Sequence, residues 1–90
     1  MCSGLTSITI GKSVASIGES AFYLCSGLIS ITISNSVKSI DYSAFSYCDG
    51  LKTIKFVGTC KQWAAVTKNS GWNDGIPATK VICNDGEVDL

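Results

Sequence analysis

The apolar residues of this chain recur in a fixed order that combines two kinds of spacing. Three apolar groups follow one another between Leu5 and Phe22: Leu5-x-x-Ile8-x-Ile10, Val14-x-x-Ile17 and Ala21-Phe22. The Ile-x-Ile pair has the period-two alternation of a strand with one buried face. The second and third groups predict further buried pairs on other sides of the same turn of chain. The pattern therefore predicts a short coil that turns several times around its own apolar interior.

The same order returns at a fixed interval, with Cys2, Cys25 and Cys48 as the first residues of successive units. Residues 2–24 and 25–47 are identical at fifteen of 23 aligned positions, and the third unit departs from the pattern after Phe56. A period of 23 lies in the range of about 20–29 residues that is typical of leucine-rich repeats. Residues 1–56 are therefore predicted to form a leucine-rich-repeat solenoid, mainly β, with short parallel strands, one per coil. Stacked coils would align like residues in six ladders: Leu5/Leu28/Leu51, Ile8/Ile31/Ile54, Ile10/Ile33/Phe56, Val14/Val37, Ile17/Ile40 and Phe22/Phe45.

The complete string, C-x-G-L-x-S-I-x-I-x-x-S-V-x-S-I-x-x-S-A-F, resembles the BspA-like subclass of leucine-rich repeats. Its glycine recurs as Gly4, Gly27 and Gly50, where we expect the coil to turn. The proline that the family usually has two residues before the S-V pair is missing here. The resemblance implies a bacterial cell-surface protein, or a similar protein of a mucosal parasite, that is associated with adhesion and protein–protein contact.

Residues 57–90 predict a small α+β module that caps the array. Thr59 and Gln62 fit a capping box at the start of a helix that we expect to run to about Lys68. The strand patterns Lys80–Cys83 and Glu87–Leu90 predict a hairpin across Asn84-Asp85-Gly86.

Both tryptophans of the chain, Trp63 and Trp72, lie in this module. The last coil of a solenoid has an apolar face that no further coil covers, so we expect the two rings to cover it. The alternative is that the rings form a surface platform on which a carbohydrate stacks.

Composition narrows the classes of function. Lysines and carboxylates balance at seven each, and the chain has no arginine, so we expect no nucleic-acid partner. No apolar run reaches the length of about 18 residues that a membrane span needs, so we expect no membrane insertion. No signal peptide follows Met1 either; an extracellular or cell-surface location would have to be directed by the parent protein.

Five cysteines raise the question of redox or metal chemistry. Cys2, Cys25 and Cys48 fall on one ladder position, where we expect small buried reduced thiols, although the coil spacing lies within the Cα range of a disulfide. Cys60 and Cys83 both lie in the cap, where the alternatives are two free thiols or a disulfide between them.

No catalytic or cofactor site is predicted. The chain has no histidine, so no ordinary nucleophile–base pair can be assembled from its serines. The segment Asn84–Asp89 faintly resembles a calcium loop but lacks the twelve-residue ligand spacing, so a hairpin turn with solvated charges is the preferred interpretation. We therefore expect neither an enzyme nor a resident cofactor or metal.

The remaining candidate is the outward face of the predicted strands. Its residues alternate with the buried isoleucines and form two rows of mostly hydroxyl side chains: Ser7, Ser30 and Thr53, and Thr9, Thr32 and Lys55. We predict that this face binds protein partners, host or microbial surface macromolecules, with a glycan as the second candidate. The rival interpretations are a merely solvated face and a purely structural terminal segment of a longer array.

The first coil is also a candidate surface for self-association. Nothing in the sequence ahead of Cys2 covers its apolar residues, so we expect a homodimer in which two first coils cover each other. The alternative is a frayed first coil.

Overall fold

The computed structural model describes residues 4–90. Within these residues, two β-sheets and one short helix surround an apolar interior. The elements in chain order are β1 (Ser7–Ile10), β2 (Ser16–Ile17), β3 (Ser30–Ser34), β4 (Ser39–Ile40), β5 (Thr53–Val57), α1 (Cys60–Ala65), β6 (Thr67–Lys68), β7 (Lys80–Cys83) and β8 (Gly86–Asp89).

The larger sheet has five strands in the order β1-β3-β5-β7-β8. The first three strands pair in parallel and in register, so that Ile31 lies between Ile8 and Ile54. This is the pairing, one repeat period apart, that the sequence predicts, and the leucine-rich-repeat solenoid is confirmed. The predicted hairpin is present as well: β7 continues the sheet in parallel, and β8 returns antiparallel to it.

A second sheet, which the sequence pattern did not predict, lies on another side of each coil. It consists of β2, β4 and β6, which are short and parallel. Ser16 pairs with Ser39, one repeat period further on, whereas Ser39 pairs with Thr67 and not with Gln62, where the same period would place its partner. The third coil is therefore longer than the first two, and α1 lies in the extra length. Both sheets continue past residue 56, so neither sheet ends where the repeat pattern ends in the sequence. The division of the chain into residues 1–56 and 57–90 stays a prediction.

The third side of the coil turns through left-handed backbone at residues other than glycine. Ser20 and Leu24 have φ of 56° and 60°, and Ser43 and Tyr47 repeat these values at 57° and 59°. Such conformations cost free energy for residues with a Cβ. Bonds between coils hold these residues: the Ser20 amide donates to the Tyr42 carbonyl at 3.0 Å, and the Leu24 amide to the Ser46 carbonyl at 3.1 Å.

Gly50 serves close packing rather than a left-handed turn. A Cβ at this position would lie 3.1 Å from the carbonyl oxygen of Ser26 and 3.3 Å from that of Leu28. Gly50 therefore lets the third coil approach the backbone of the coil before it.

The predicted ladders form the core of the second and third coils. Phe22 and Phe45 stack with ring centroids 5.2 Å apart and planes at 2° to each other. The other members of this core are fully or almost fully buried: Leu28, Ile31, Ile33, Val37, Ile40, Leu51, Ile54 and Phe56.

The helix of the cap begins as predicted and ends earlier. The Thr59 hydroxyl accepts from the Gln62 amide at 3.1 Å, and the Gln62 side chain accepts from the Thr59 amide at 2.9 Å, which completes the capping box. The prediction that the helix runs to Lys68 is wrong. Val66 is already extended, with φ of −70° and ψ of 128°, because Thr67 and Lys68 pair with β4 and so belong to the second sheet.

The two tryptophans close the end of the solenoid. Trp63 is 1% exposed and Trp72 is 7% exposed. Trp63 contacts Phe56 and Trp72 edge-on, at centroid distances of 5.3 Å and 5.8 Å, and Trp72 in turn contacts Phe45. The alternative of a surface carbohydrate platform built from these two rings is therefore wrong, because both tryptophans are buried.

Candidate ligand-binding face

The six residues predicted to face outward all lie on one side of the larger sheet. Alternation along β1, β3 and β5 places them opposite the buried isoleucines, and the register brings Ser7, Ser30 and Thr53 into one row. Thr9, Thr32 and Lys55 form the second row. The exposed members of the two rows are Ser7, Thr9 and Lys55. The half-buried members are Ser30, Thr32 and Thr53. We call this side of the larger sheet the strand face.

The strand face is larger than the repeat alone predicts, because the cap hairpin extends it by two strands. Ile82 lies beside Lys55 in the register, and Glu87 lies beside Ile82 on the next strand. All three side chains are exposed. These cap residues were missed because the hairpin was treated as a lid. The signal that could have found them is the alternation of Lys80–Cys83, whose buried Val81 continues the isoleucine ladder beside Ile54.

The two halves of the strand face differ in chemistry. The half formed by β1 and β3 carries hydroxyl groups only, at Ser7, Thr9, Ser30 and Thr32. The other half is mixed: Lys55 and Glu87 carry opposite charges, and two large apolar side chains are exposed, Ile82 at 42% and Val57 at 49%. Exposed apolar residues beside charged ones are typical of protein-binding surfaces.

A cavity of about 410 Å³ lies at the closed end of the solenoid, beside α1 and the hairpin. Its wall includes Trp63, Lys68, Trp72 and Val88. The Lys68 ammonium lies 4.5 Å from the centre of the Trp63 ring and donates to the carbonyls of Trp63 and Val66, at 3.0 and 2.9 Å. Burial lowers the pKa of Lys68. Because two of its three N–H groups donate to backbone carbonyls, Lys68 holds the end of α1 in place.

The expectation of reduced thiols on the cysteine ladder is wrong for Cys25, which is disulfide-bonded. Cys48 is a free buried thiol, and its Sγ donates to the Phe22 carbonyl at 3.0 Å. Burial raises the pKa of Cys48. Cys2 lies outside the described residues.

The segment Asn84–Asp89 forms the hairpin turn and its second strand. One Asp85 carboxylate oxygen accepts from the Cys60 amide at 2.8 Å, and this bond holds the pKa of Asp85 below its ordinary value. Asp85 thus ties the hairpin turn to the start of α1. Within residues 4–90, no three His, Cys, Asp or Glu side chains are grouped so that they could hold a metal ion.

Stacked parallel coils with an outward strand face and a capped end define a leucine-rich-repeat protein. A family model described as the BspA type leucine-rich repeat region, with six copies, matches residues 1–66. The chain therefore belongs to the BspA-type leucine-rich repeat family. No curated protein and no solved structure matches the chain. Within residues 4–90, no helix combines the length and apolar character of a membrane span.

Proposed function

We propose that this chain is a non-catalytic binding module of a surface adhesion-type protein and that it binds its partner on the strand face. Membership of the repeat family supports a protein-interaction scaffold. The observation that carries the proposal is the continuous row from Lys55 through Ile82 to Glu87, which joins the repeat and the cap hairpin into one exposed surface. The partner that fits this surface is a host or microbial surface protein, with a glycan as the alternative ligand.

The proposal places the parent protein at the cell surface or outside the cell and gives the chain no catalytic role. The disulfide at Cys25 supports an oxidising location, because disulfides persist in extracellular compartments and are rare in the cytosol.

The rival proposal is that the chain only closes a longer array and binds nothing itself. The buried tryptophans favour this role, since they cover the last coil in the way that a capping repeat must. The two proposals differ in what they predict for residues on the strand face.

Substitutions on the strand face separate the two proposals. We expect Lys55→Ala and Ile82→Ala each to weaken binding to immobilised extracellular-matrix proteins or mucins by about tenfold, since central apolar and charged residues dominate small interfaces. The matched controls are Lys12→Ala and Tyr42→Ala, which remove an exposed charge and an exposed ring elsewhere. Surface plasmon resonance measures the affinities. Equal losses in face and control variants would contradict the proposed face, and a wild-type chain that binds no member of the panel would favour the structural role.

We also propose that the first coil self-associates. Leu5 is 41% exposed, whereas its counterpart Leu28 is fully buried. Ile8 and Ile10 are only partly buried, and within residues 4–90 the outer edge of β1 pairs with no strand. Ile17 of the same coil is buried and takes no part in this exposed surface. Apolar side chains beside a strand edge template pairing with another chain.

Sedimentation velocity across a concentration series tests the self-association. We expect the chain to form a dimer at high micromolar concentration, and Leu5→Lys to weaken the dimer at least tenfold. Ile29→Lys is the matched control, because Ile29 is 50% exposed in the second coil and should leave association unchanged. A strict monomer with slow amide exchange in residues 5–17 would exclude the dimer, and a monomer with fast exchange there would show a frayed coil instead.

A further inference from the structure

Two free cysteines meet where the helix of the cap approaches the hairpin. Cys60 is the first residue of α1, and Cys83 is the last residue of β7. The Cys83 side chain is close enough to be the largest cause of the raised pKa of Cys60. Gly86 pairs with Cys83 across the hairpin, and a Cβ on Gly86 would lie 3.6 Å from the Cys60 Sγ. The Cys60 sulfur therefore lies against the Cys83–Gly86 pair.

Backbone contacts hold the two cysteines in this position without a covalent bond. The Asp85 carboxylate accepts from the Cys60 amide at 2.8 Å, and the Asn84 amide donates to the Gly58 carbonyl at 2.7 Å. The capping box at Thr59 fixes the first turn of α1. Because the start of α1 and the turn of the hairpin are joined by these bonds, the folded chain keeps the two sulfurs beside each other.

The two thiols also differ in access to solvent. Cys60 is partly exposed, whereas Cys83 is buried. An oxidant from solution therefore meets Cys60 first, and Cys83 is placed to complete the reaction from the protein side.

We infer that Cys60 and Cys83 form a redox-active pair that closes to an intramolecular disulfide by exchange with a low-molecular-weight disulfide such as oxidised glutathione. The Cys60 thiolate attacks one sulfur of the reagent, forms a mixed disulfide and releases one thiol. The Cys83 thiolate then attacks the Cys60 sulfur and expels the second thiol. Two protein thiols are oxidised, one disulfide reagent is reduced to two thiols, and the protons balance. This inference does not depend on the proposed binding function.

The disulfide would fix the hairpin of β7 and β8 to α1. The closed loop spans residues 60–83 and includes both tryptophans of the cap, so the cross-link restricts the unfolded chain over the whole closing module. The same hairpin carries Ile82 and Glu87 of the strand face. Oxidation would therefore stabilise the end of the solenoid and the outer strands of its exposed face together.

We expect the surroundings of Cys60 to slow the thiol–disulfide exchange, and the rate of that exchange gives a second test of the inference. The hydrogen bond with Cys83, aided by desolvation and by the nearby Asp85 carboxylate, raises the pKa of Cys60 to about 12. The thiolate is the attacking species, so little of Cys60 is reactive near neutral pH. Asp85→Asn keeps an oxygen acceptor for the Cys60 amide and removes the negative charge. We expect this variant to react several-fold faster than the wild type.

The experiment equilibrates the full chain with oxidised and reduced glutathione, blocks remaining thiols by alkylation and digests the unreduced protein with trypsin. Cleavage after lysine places Cys60 in peptide 56–61 and Cys83 in peptide 81–90. We expect these peptides to be disulfide-linked, and the thermal midpoint to rise on the order of 10 °C. Cys60→Ser is the control for effects of the glutathione buffer on the disulfide at Cys25. This variant should show neither the disulfide-linked peptides nor the rise in the thermal midpoint.

Three outcomes would overturn the inference. The first is glutathione retained on Cys60 while Cys83 remains open to alkylation. The second is a link from Cys60 or Cys83 to Cys48. The third is that Cys60 and Cys83 stay reduced in all of the redox buffers although the circular dichroism spectrum shows that the chain is folded.

Discussion

Ile31→Ala is expected to lower the free energy of unfolding by about 2–5 kcal/mol, among the largest losses for any single change in this chain. Ile31 is 1% exposed and lies between Ile8 and Ile54 in the central ladder of the larger sheet. Removing its side chain beyond Cβ opens a cavity that faces two coils at once. Neither neighbour can collapse into it, because strand pairing on both sides holds the backbone.

Thr32→Ala is the matched control for this prediction, since Thr32 is the next residue of the same strand and points outward. We expect its loss to stay below about 1 kcal/mol. Urea denaturation monitored by circular dichroism measures both variants. Similar losses in the two would contradict the assignment of the buried and exposed faces of β3.

Tryptophan fluorescence adds a test of cooperativity to the same titration. Both tryptophans lie in the cap, whereas Ile31 lies in the second coil. If the solenoid unfolds as one unit, the fluorescence transition of Ile31→Ala should shift together with the circular dichroism transition. A fluorescence transition that stays at the wild-type midpoint would show that the cap unfolds independently of the coils.

The larger sheet was predictable because period-two alternation and the repeat period act on the same residues. The alternation assigns Ile31 and Ile33 to the interior, and the repeat period sets which residue of the next coil lies beside each of them. A shift of one residue would move both isoleucines to the solvent side, so only one register is compatible with the sequence. The fold and the six predicted outward residues follow from these two facts.

The second sheet was missed because its strands are too short to show a period. Ser16–Ile17 and Ser39–Ile40 contain one outward and one inward residue each, and such a pair fits a turn as well as a strand. The same limit affected the end of α1. Thr67–Lys68 has no strand pattern of its own and becomes a strand because β4 offers it an edge for pairing.

The extent of the strand face depends on tertiary contacts that the repeat does not encode. Ile82 follows the last recognisable repeat, and its position beside Lys55 depends on the chain crossing back from the longer third coil. The disulfide state of the cysteines depends on the geometry of the sulfur atoms, which a periodic pattern does not specify. Cys25 and Cys48 occupy the same repeat position, yet Cys25 is disulfide-bonded and Cys48 donates to a carbonyl.

Trp63 is expected to be the residue of the cap whose truncation costs the most. Its ring lies between Phe56 at 5.3 Å and Trp72 at 5.8 Å, with the Lys68 ammonium 4.5 Å from its centre. Trp63→Ala removes a buried ring and a cation–π contact, so we expect a loss of about 3–5 kcal/mol. A domain of this size has a total stability on the order of 5–10 kcal/mol. The loss would therefore remove a large share of the total stability of the chain.

Amide hydrogen exchange locates the effect, and chemical denaturation gives its size. In Trp63→Ala we expect protection to fall most in β6, β7 and β8, because these strands pack against the exposed end of the third coil, while β3 keeps more of its protection. Trp63→Phe retains a ring against Phe56 and should recover part of the loss. Val57→Ala, which truncates an exposed side chain, should cost less than about 1 kcal/mol. A Trp63→Ala variant that loses no more stability than Val57→Ala would contradict the role of this tryptophan as the closing residue. Uniform loss of protection across all strands would instead show that the cap and coils unfold as one unit.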